Sequence, residues 1–576
     1  MLKKELVKIY DEIRKSCSHL RYLWIVRVMC NLRKKQHESV MDIHTKKISK
    51  LLNVEVDVDE HIVNISTHEL TFFQKLVLCR GLKFAIPQKV SQIDIQASFE
   101  KAHWYLEPTL KDDHKKLATT TFKSIAVNYG ACKPHKIPKS LNKAINQFKR
   151  NNDIVITKPD KGSGVVIMDK TEYLSLLSEA SVSNTTKFSA VSKERPKTRG
   201  RPPKYYHPLL QKEKELEAIV RRILPKEIAD TVCLKGSRLA HLYGLPKTHK
   251  KNLSVRPILS STATYNYPLA KWLDDKLKTL SINNYTISDT LMFAEQLKEL
   301  SFDEDDILAS YDVTSLFTNV PLDYTLDLLV EKAFKDNWFC ATYDLTISEQ
   351  DLFELLKIAT KHQLLQFNDN LYLQTDGVAM GSPLGPLLAN VFLCHVEEML
   401  EQQEKVPSFY RRYVDDTLVV IRDIAEAEQF LITLNSCHPS IQFTMELAVN
   451  NTLPFLGMLL MKQRSKITSS VYRKTTNKGL LLHYQSHVDN TYKKSLLKTM
   501  LHRAYSLSST TELFEKECEN IRSIFHKLRY PSELVEATIR NFINTSDVES
   551  QSTSNNNKNT IRIVLPFCEA PTYSAK

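Results

Sequence analysis

Two adjacent aspartates, Asp415 and Asp416, stand between an aromatic-basic run, FYRRYV, and an apolar run, TLVVI. The apolar and β-branched residues on either side predict a hairpin, with both carboxylates at its tip. Like charges held there repel and raise each other's pKa unless a cation shares them, and neither flank supplies an obvious partner. About a hundred residues upstream, a second β-rich stretch, ILASYDV, delivers Asp312. A fold that lays this strand beside the hairpin makes a three-carboxylate cluster. Oxygen ligands at that density suit Mg²⁺, which keeps waters and takes its remaining ligands from phosphates. Two such ions ~4 Å apart activate a hydroxyl and stabilise the leaving oxygen of an in-line displacement, the chemistry of a nucleotide polymerase. Alone, the Asp415-Asp416 pair would be a solvated turn.

The rest of the composition is compatible with that chemistry. A net charge of +13 favours a polyanionic partner, nucleic acid before membrane surface. No run approaches the ~20 apolar residues of a membrane span; the short YLWIVRVMC near the N-terminus is broken by Arg27. The ten cysteines are scattered without a CxxC pair, which argues against zinc fingers and a disulfide framework and fits a reducing compartment. Glycine is scarce at 12 residues, and Gly162, Gly164, Gly244, Gly377, Gly381, Gly385 and Gly457 all fall in the segments that matter below. Such concentration predicts backbone positions with unusual angles or close approaches.

Along the chain, residues 1–150 read as a basic, mainly helical region, with Arg33-Lys34-Lys35 either a solvated face or a nucleic-acid surface. Residues 151–229 hold a hairpin, DIVIT and VVIMD around the basic turn KPDKGSG, followed by the linker KERPKTRGRPPK. The turn could offer amides and lysines to phosphate or be ordinary surface. Arg199-Gly200-Arg201-Pro202 reads as an AT-hook-like core, an import patch or a solvated loop. Residues 230–462 form the strand-rich block. Residues 463–545 return to helical periodicity with the basic amphipathic KKSLLKTMLHRAYSLSS, and 546–576 are a low-complexity linker and short tail.

Four segments in order, YDVTSLFTNVP, AMGSPLGPLLANVFL, YVDD and LPFLG, resemble the motifs lettered A, B, C and E of reverse transcriptases, most closely those of Penelope-like retroelements, a group related to telomerase. YGLPKTHK, VRPILSS and ITKPDKGSGVVIMDK extend the resemblance upstream, NISTHELTFFQKLVLCRGLKFAIP is similar to the opening segment, and the helix after residue 490 resembles a helix-turn-helix-like extension. The resemblance implies an α/β right-hand polymerase with fingers, an antiparallel-sheet palm and a helical thumb. It implies RNA-directed DNA synthesis with two Mg²⁺ ions, Mn²⁺ as a substitute, and an RNA template, a DNA primer or target and dNTPs as partners, in the nucleus. It makes Asp312, Asp415 and Asp416 the metal-binding aspartates, with the Val313 carbonyl a further ligand. Phe317 corresponds to the bulky side chain that excludes a ribose 2′-hydroxyl, or is a core phenylalanine. Arg256 and Lys247 would grip the triphosphate; Arg256 is favoured because a guanidinium stays charged and binds phosphate through two bonds. Lys158 and Lys161 would assist, or be solvated lysines. Gly381, Ser382 and Pro383 match the turn beneath template and nucleotide, and Phe455, Leu456 and Gly457 the primer-holding turn. Met380 stands where many reverse transcriptases carry glutamine, a mark of the subgroup. A GIY-YIG endonuclease would be expected to start near LPF, where the chain stops, so an endonuclease-lacking type or a truncated copy is expected. The rival readings are a catalytically inactive nucleic-acid-binding remnant and a polymerase of other template or sugar preference.

Overall fold

The computed structural model describes residues 59–87, 91–106, 112–129, 138–192, 207–234, 236–361, 363–375 and 377–546. The basic triplet 33–35, the apolar stretch 22–30, the RGRP segment and the tail beyond 546 lie outside the described residues. No described helix is long and apolar enough to cross a membrane. The described residues are mixed α/β, with four sheets and a helical C-terminal portion.

The first sheet joins β1 (Ile62–Asn64), β2 (Ile154–Thr157) and β3 (Val165–Asp169) in the order β1-β3-β2. DIVIT and VVIMD do pair as a hairpin, but not as a free surface ribbon. A parallel strand from the N-terminal region covers β3, whose Val165–Met168 are wholly buried, as a continuous apolar run requires. The second sheet contains β4 (Phe188–Val191), the hairpin β5 (Ala240–Pro246) and β6 (Val255–Ser260), and the later hairpin β8 (Gln363–Phe367) and β9 (Asn370–Gln374), in the order β4-β9-β8-β5-β6. Pro257 is tolerated because β6 is an edge strand of that sheet.

The third sheet carries the aspartates. β7 (Ile307–Val313) lies between β11 (Asp416–Ile421) and β12 (Phe443–Leu447), with β10 (Phe409–Tyr413) outside β11. All pairs are antiparallel. Period-2 alternation gives this sheet two different faces. Ala309, Tyr311, Val313, Val419 and Ile421 face the main core, built around the helices Leu384–Gln402 and Ile424–Cys437. There Tyr311 donates to the Ala427 carbonyl at 2.9 Å and meets Phe430 edge-on. The other face starts with Leu308, Leu418 and Val420 packed on a fourth sheet of β13 (Thr452–Phe455), β14 (Met458–Gln463) and β15 (Lys466–Val471). Each such buried aliphatic side chain contributes ~1.5–3 kcal/mol. Further along the same face Ser310, Asp312, Asp416 and Thr444 replace the aliphatics, because the covering strand β13 turns away at Phe455–Gly457.

The helix Leu384–Gln402 is apolar on nearly every side and accordingly lies inside the protein. The last three described helices, Asn490–Leu507, Thr511–Lys527 and Ser532–Ser546, share a core of Leu497, Leu501, Ile521, Phe525 and Ile539. The first of them packs on β15 and on the helix Thr290–Glu299, which ties this bundle to the aspartate sheet.

Candidate active site

The register puts Asp312 directly opposite Asp416, with Thr444 opposite Asp312 on the other side. Cross-strand neighbours share a face, so both carboxylates stand on the floor of a cleft of about 700 Å³. Asp415 sits in the two-residue turn between Tyr413 and Asp416. Val414 beside it is held at φ +56, a left-handed conformation rare for a β-branched residue. Although exposed at their tips, the two floor carboxylates lose solvent to the cleft walls and repel one another. Burial, then the Asp415 charge, raises the Asp312 pKa above its ordinary value. Burial, then Asp415 and Asp312, pushes Asp416 up to about 6. Lys474 and Lys161 oppose both shifts without cancelling them.

That unbalanced negative charge is what a divalent cation would relieve, and carboxylate oxygens are the donors a hard cation prefers. Among the described residues no three carboxylate, imidazole or thiolate groups are already closed to metal-ligand distance, so the aspartates share a floor without converging on one point. Three carboxylates bearing unrelieved charge are nonetheless the donor type that a hard divalent ion takes.

One wall of the cleft is the turn Pro454–Gly457, followed by Tyr472, Lys474 and Thr476. Phe455 anchors it from below, edge-on to Phe293. Leu456 and Gly457 both take positive φ, and the Gly457 carbonyl accepts from the Tyr472 amide and from Arg503 of the helix Asn490–Leu507. The opposite wall includes Lys161 and His249. A basic patch continues from there: the Lys247 pKa is lowered by burial and by Lys250 and Arg256. Arg256 pairs with Asp160 at 2.8 Å, and the Asp160 carboxyl is almost fully buried. The Asp160 amide donates to the Pro246 carbonyl at 2.9 Å, so the KPDKGSG loop is fastened to the β5–β6 hairpin at both ends of one residue.

The structure thus gathers Asp312, Asp415, Asp416, Lys161, Phe455, Leu456 and Gly457 about one cleft, with Arg256 and Lys247 in the adjoining basic patch. Lys158 is exposed, with no contact that brings it into the cleft. Val313 is buried beside Phe443 of β12, and its amide faces the Asp312 carboxylate. Gly381 lies behind β6: at φ +119, any Cβ there would stand 2.4 Å from the Leu259 carbonyl oxygen. Ser382 and Pro383 follow in the tight turn that starts the helix Leu384–Gln402. Phe317 is half-buried against the main core and does not line the cleft; its carbonyl accepts from the Val378 amide. Lys474, Asp160 and His249 escaped the sequence reading. Lys474 follows the last strand with no motif to mark it. Asp160 and His249 sat unremarked inside KPDKGSG and YGLPKTHK.

Residues 248–448 match the family model described as reverse transcriptase (RNA-dependent DNA polymerase), and residues 480–540 match the animal helix-turn-helix domain. A curated relative, telomerase reverse transcriptase of Mus musculus, is 25% identical over 206 residues, covering 31% of this chain and 18% of that protein. The chain therefore spans less than a fifth of its relative's length. Solved structures similar to it include telomerase from Candida albicans with a TWJ fragment of telomeric RNA (TM-score 0.44, 11% identity, 76% of this chain and 67% of that one). Apo telomerase from Candida tropicalis gives 0.40 and 11%, over 70% and 68%. Residues 248–448, which carry Asp312, Asp415 and Asp416, are thus similar to reverse transcriptases, in the class of RNA-directed DNA polymerases and so of nucleotidyltransferases, with a helix-turn-helix segment behind them.

Proposed function

We propose that the chain is the RNA-directed DNA polymerase of a Penelope-like retroelement, extending a primer 3′-hydroxyl with dNTPs along an RNA template, in the nucleus. The observation that carries the reading is the register pairing of Asp312 with Asp416 on a cleft floor, with Asp415 in the adjacent turn. Asp312, Asp415, Asp416 and the Val313 carbonyl would hold Mg²⁺, or Mn²⁺ in its place. When bound, such ions activate the primer hydroxyl and stabilise the charge that develops as pyrophosphate leaves.

The remaining work falls to the chain's own residues. Lys161 on the cleft wall, with Arg256 and Lys247 in the adjoining basic patch, would orient the triphosphate, Arg256 through its fork of donors. Its partner Asp160 aims that fork until phosphate competes for it. The turn Phe455-Leu456-Gly457 and Lys474 would seat the primer end above the aspartates. Phe317 would test the sugar, although its half-buried setting also fits a packing role. The net charge of +13 supports binding along a nucleic-acid backbone, which should weaken steeply with salt.

Primer extension on an RNA template with dNTPs and Mg²⁺, run beside Asp415→Asn, tests the reading. Synthesis by the parent that the substitution abolishes is the expected result. A folded, template-binding protein that makes no product under these conditions would sink the reading and favour a non-catalytic nucleic-acid binder.

A further inference from the structure

Arg412 reads in the sequence as part of a basic flank, yet it is 1% exposed, among the largest fully buried side chains of the described residues. A guanidinium has five N–H donors in a planar fork, and here all five find acceptors. Nε and Nη2 take the two oxygens of Glu397, itself 1% exposed, the second at 3.0 Å. Nη2 also donates to Cys394 Sγ at 3.4 Å, and Nη1 to Asn390 Oδ1 at 3.0 Å. These four bonds all end on the helix Leu384–Gln402. Glu397 is completed by Tyr410 and Asn283. The fifth bond leaves this network: Nη1 donates to the Val414 carbonyl at 3.1 Å.

Val414 is the left-handed residue of the aspartate turn. A β-branched side chain does not hold that conformation unaided, and it persists only where the surroundings over-determine it. Packing of Val414 on the main core fixes one side of the residue, and the Arg412 bond fixes its carbonyl. The peptide group so held leads directly into Asp415.

We propose that Arg412 is a positioning residue for the aspartate turn: it ties the Val414 carbonyl to the helix Leu384–Gln402 and so sets where Asp415 and Asp416 stand. The proposal deepens the polymerase reading and rests on it for its kinetic consequence, but not for its structural one. A core ion pair would need only the four bonds within the helix network. The fifth explains why the residue is arginine: lysine keeps the charge with three donors and cannot reach Glu397 and the turn together.

The test compares the parent with Arg412→Lys by amide exchange and by primer extension. Expected is exchange at residues 413–416 faster by about 10-fold or more, with the helix Leu384–Gln402 within about 2-fold of the parent. Turnover per folded molecule should fall about 10-fold while KM for dNTP and template affinity stay within about 2-fold. Parental exchange at 413–416, or equal loosening of turn and helix, overturns the proposal, because then Arg412 only supports the core. Should Arg412→Lys not fold, the pair Arg412→Met with Glu397→Met removes both charges together and is read the same way. A parent without synthesis refutes the polymerase reading instead, and the exchange comparison still decides whether Arg412 holds the turn.

Discussion

Asp416→Asn should make the metal-free protein more stable at neutral pH while abolishing synthesis. Burial, Asp415 and Asp312 raise Asp416 from 3.8 to about 6. The folded state thus binds a proton that the unfolded chain has released, so ionisation of Asp416 favours unfolding. Between those two values lies at most ~3 kcal/mol. Asp416 is open to solvent at its tip, and screening leaves ~1 kcal/mol of that. The sign follows: the parent gains stability as pH falls from about 6 to about 4, whereas asparagine does not titrate. The mutant's advantage should be full above pH ~6, worth about 1 °C in melting temperature for a chain this long, and should vanish below pH ~4. Thermal melts at pH 8 and pH 4 in EDTA measure the gap. Adding Mg²⁺ at pH 8 should narrow or reverse it, since the ion neutralises the parent's repulsion. A mutant no more stable than the parent at pH 8 in EDTA, or a gap unchanged at pH 4, would refute the claim that these carboxylates are held together at a cost.

Gly381→Ala should destabilise the protein by ~1–3 kcal/mol in urea unfolding, because its methyl would meet the Leu259 carbonyl at 2.4 Å in a backbone of φ +119. Glu517→Gln should cost ~2–3 kcal/mol in the same assay, since it leaves Arg473 without its charged partner in a mostly buried pair. Replacing both Arg473 and Glu517 by methionine should recover most of that loss; a double mutant as unstable as the single would show that the pair is not coupled. If Phe317 sets the sugar preference, Phe317→Ala should raise ribonucleotide incorporation at least ~10-fold relative to deoxynucleotide. If it is a core residue, the substitution should cost ~2–3 kcal/mol of stability and leave selection unchanged.

What could be read without coordinates were features whose cause is local. Strand periodicity predicted the β10–β11 hairpin and the strand β7, and the carboxylates interrupting these strands marked the candidate site before any register was known. Scarce glycine pointed to backbone constraint, and Gly381, Gly162 and Gly457 prove to be positions where a Cβ would strike backbone or a neighbouring side chain. What escaped depends on which distant segments meet. Nothing in VYRKTT distinguishes Lys474 from a solvated lysine until β15 delivers it to the aspartate floor. The polarity of Asp160 says nothing of its burial until Arg256 arrives from a strand nearly a hundred residues later. Arg412 shows the limit best. Alternation along FYRRY cannot say which arginine turns inward, because both flank apolar positions. The choice is made by Glu397 on the helix behind, whose buried carboxylate must find a cation or remain uncompensated. The aspartates' flank does contain a strong cation, but it is spent on Glu397 and on the turn's carbonyl. Asp416 thereby keeps a negative charge that Lys474 and Lys161 only partly offset, the kind of charge a metal ion would relieve.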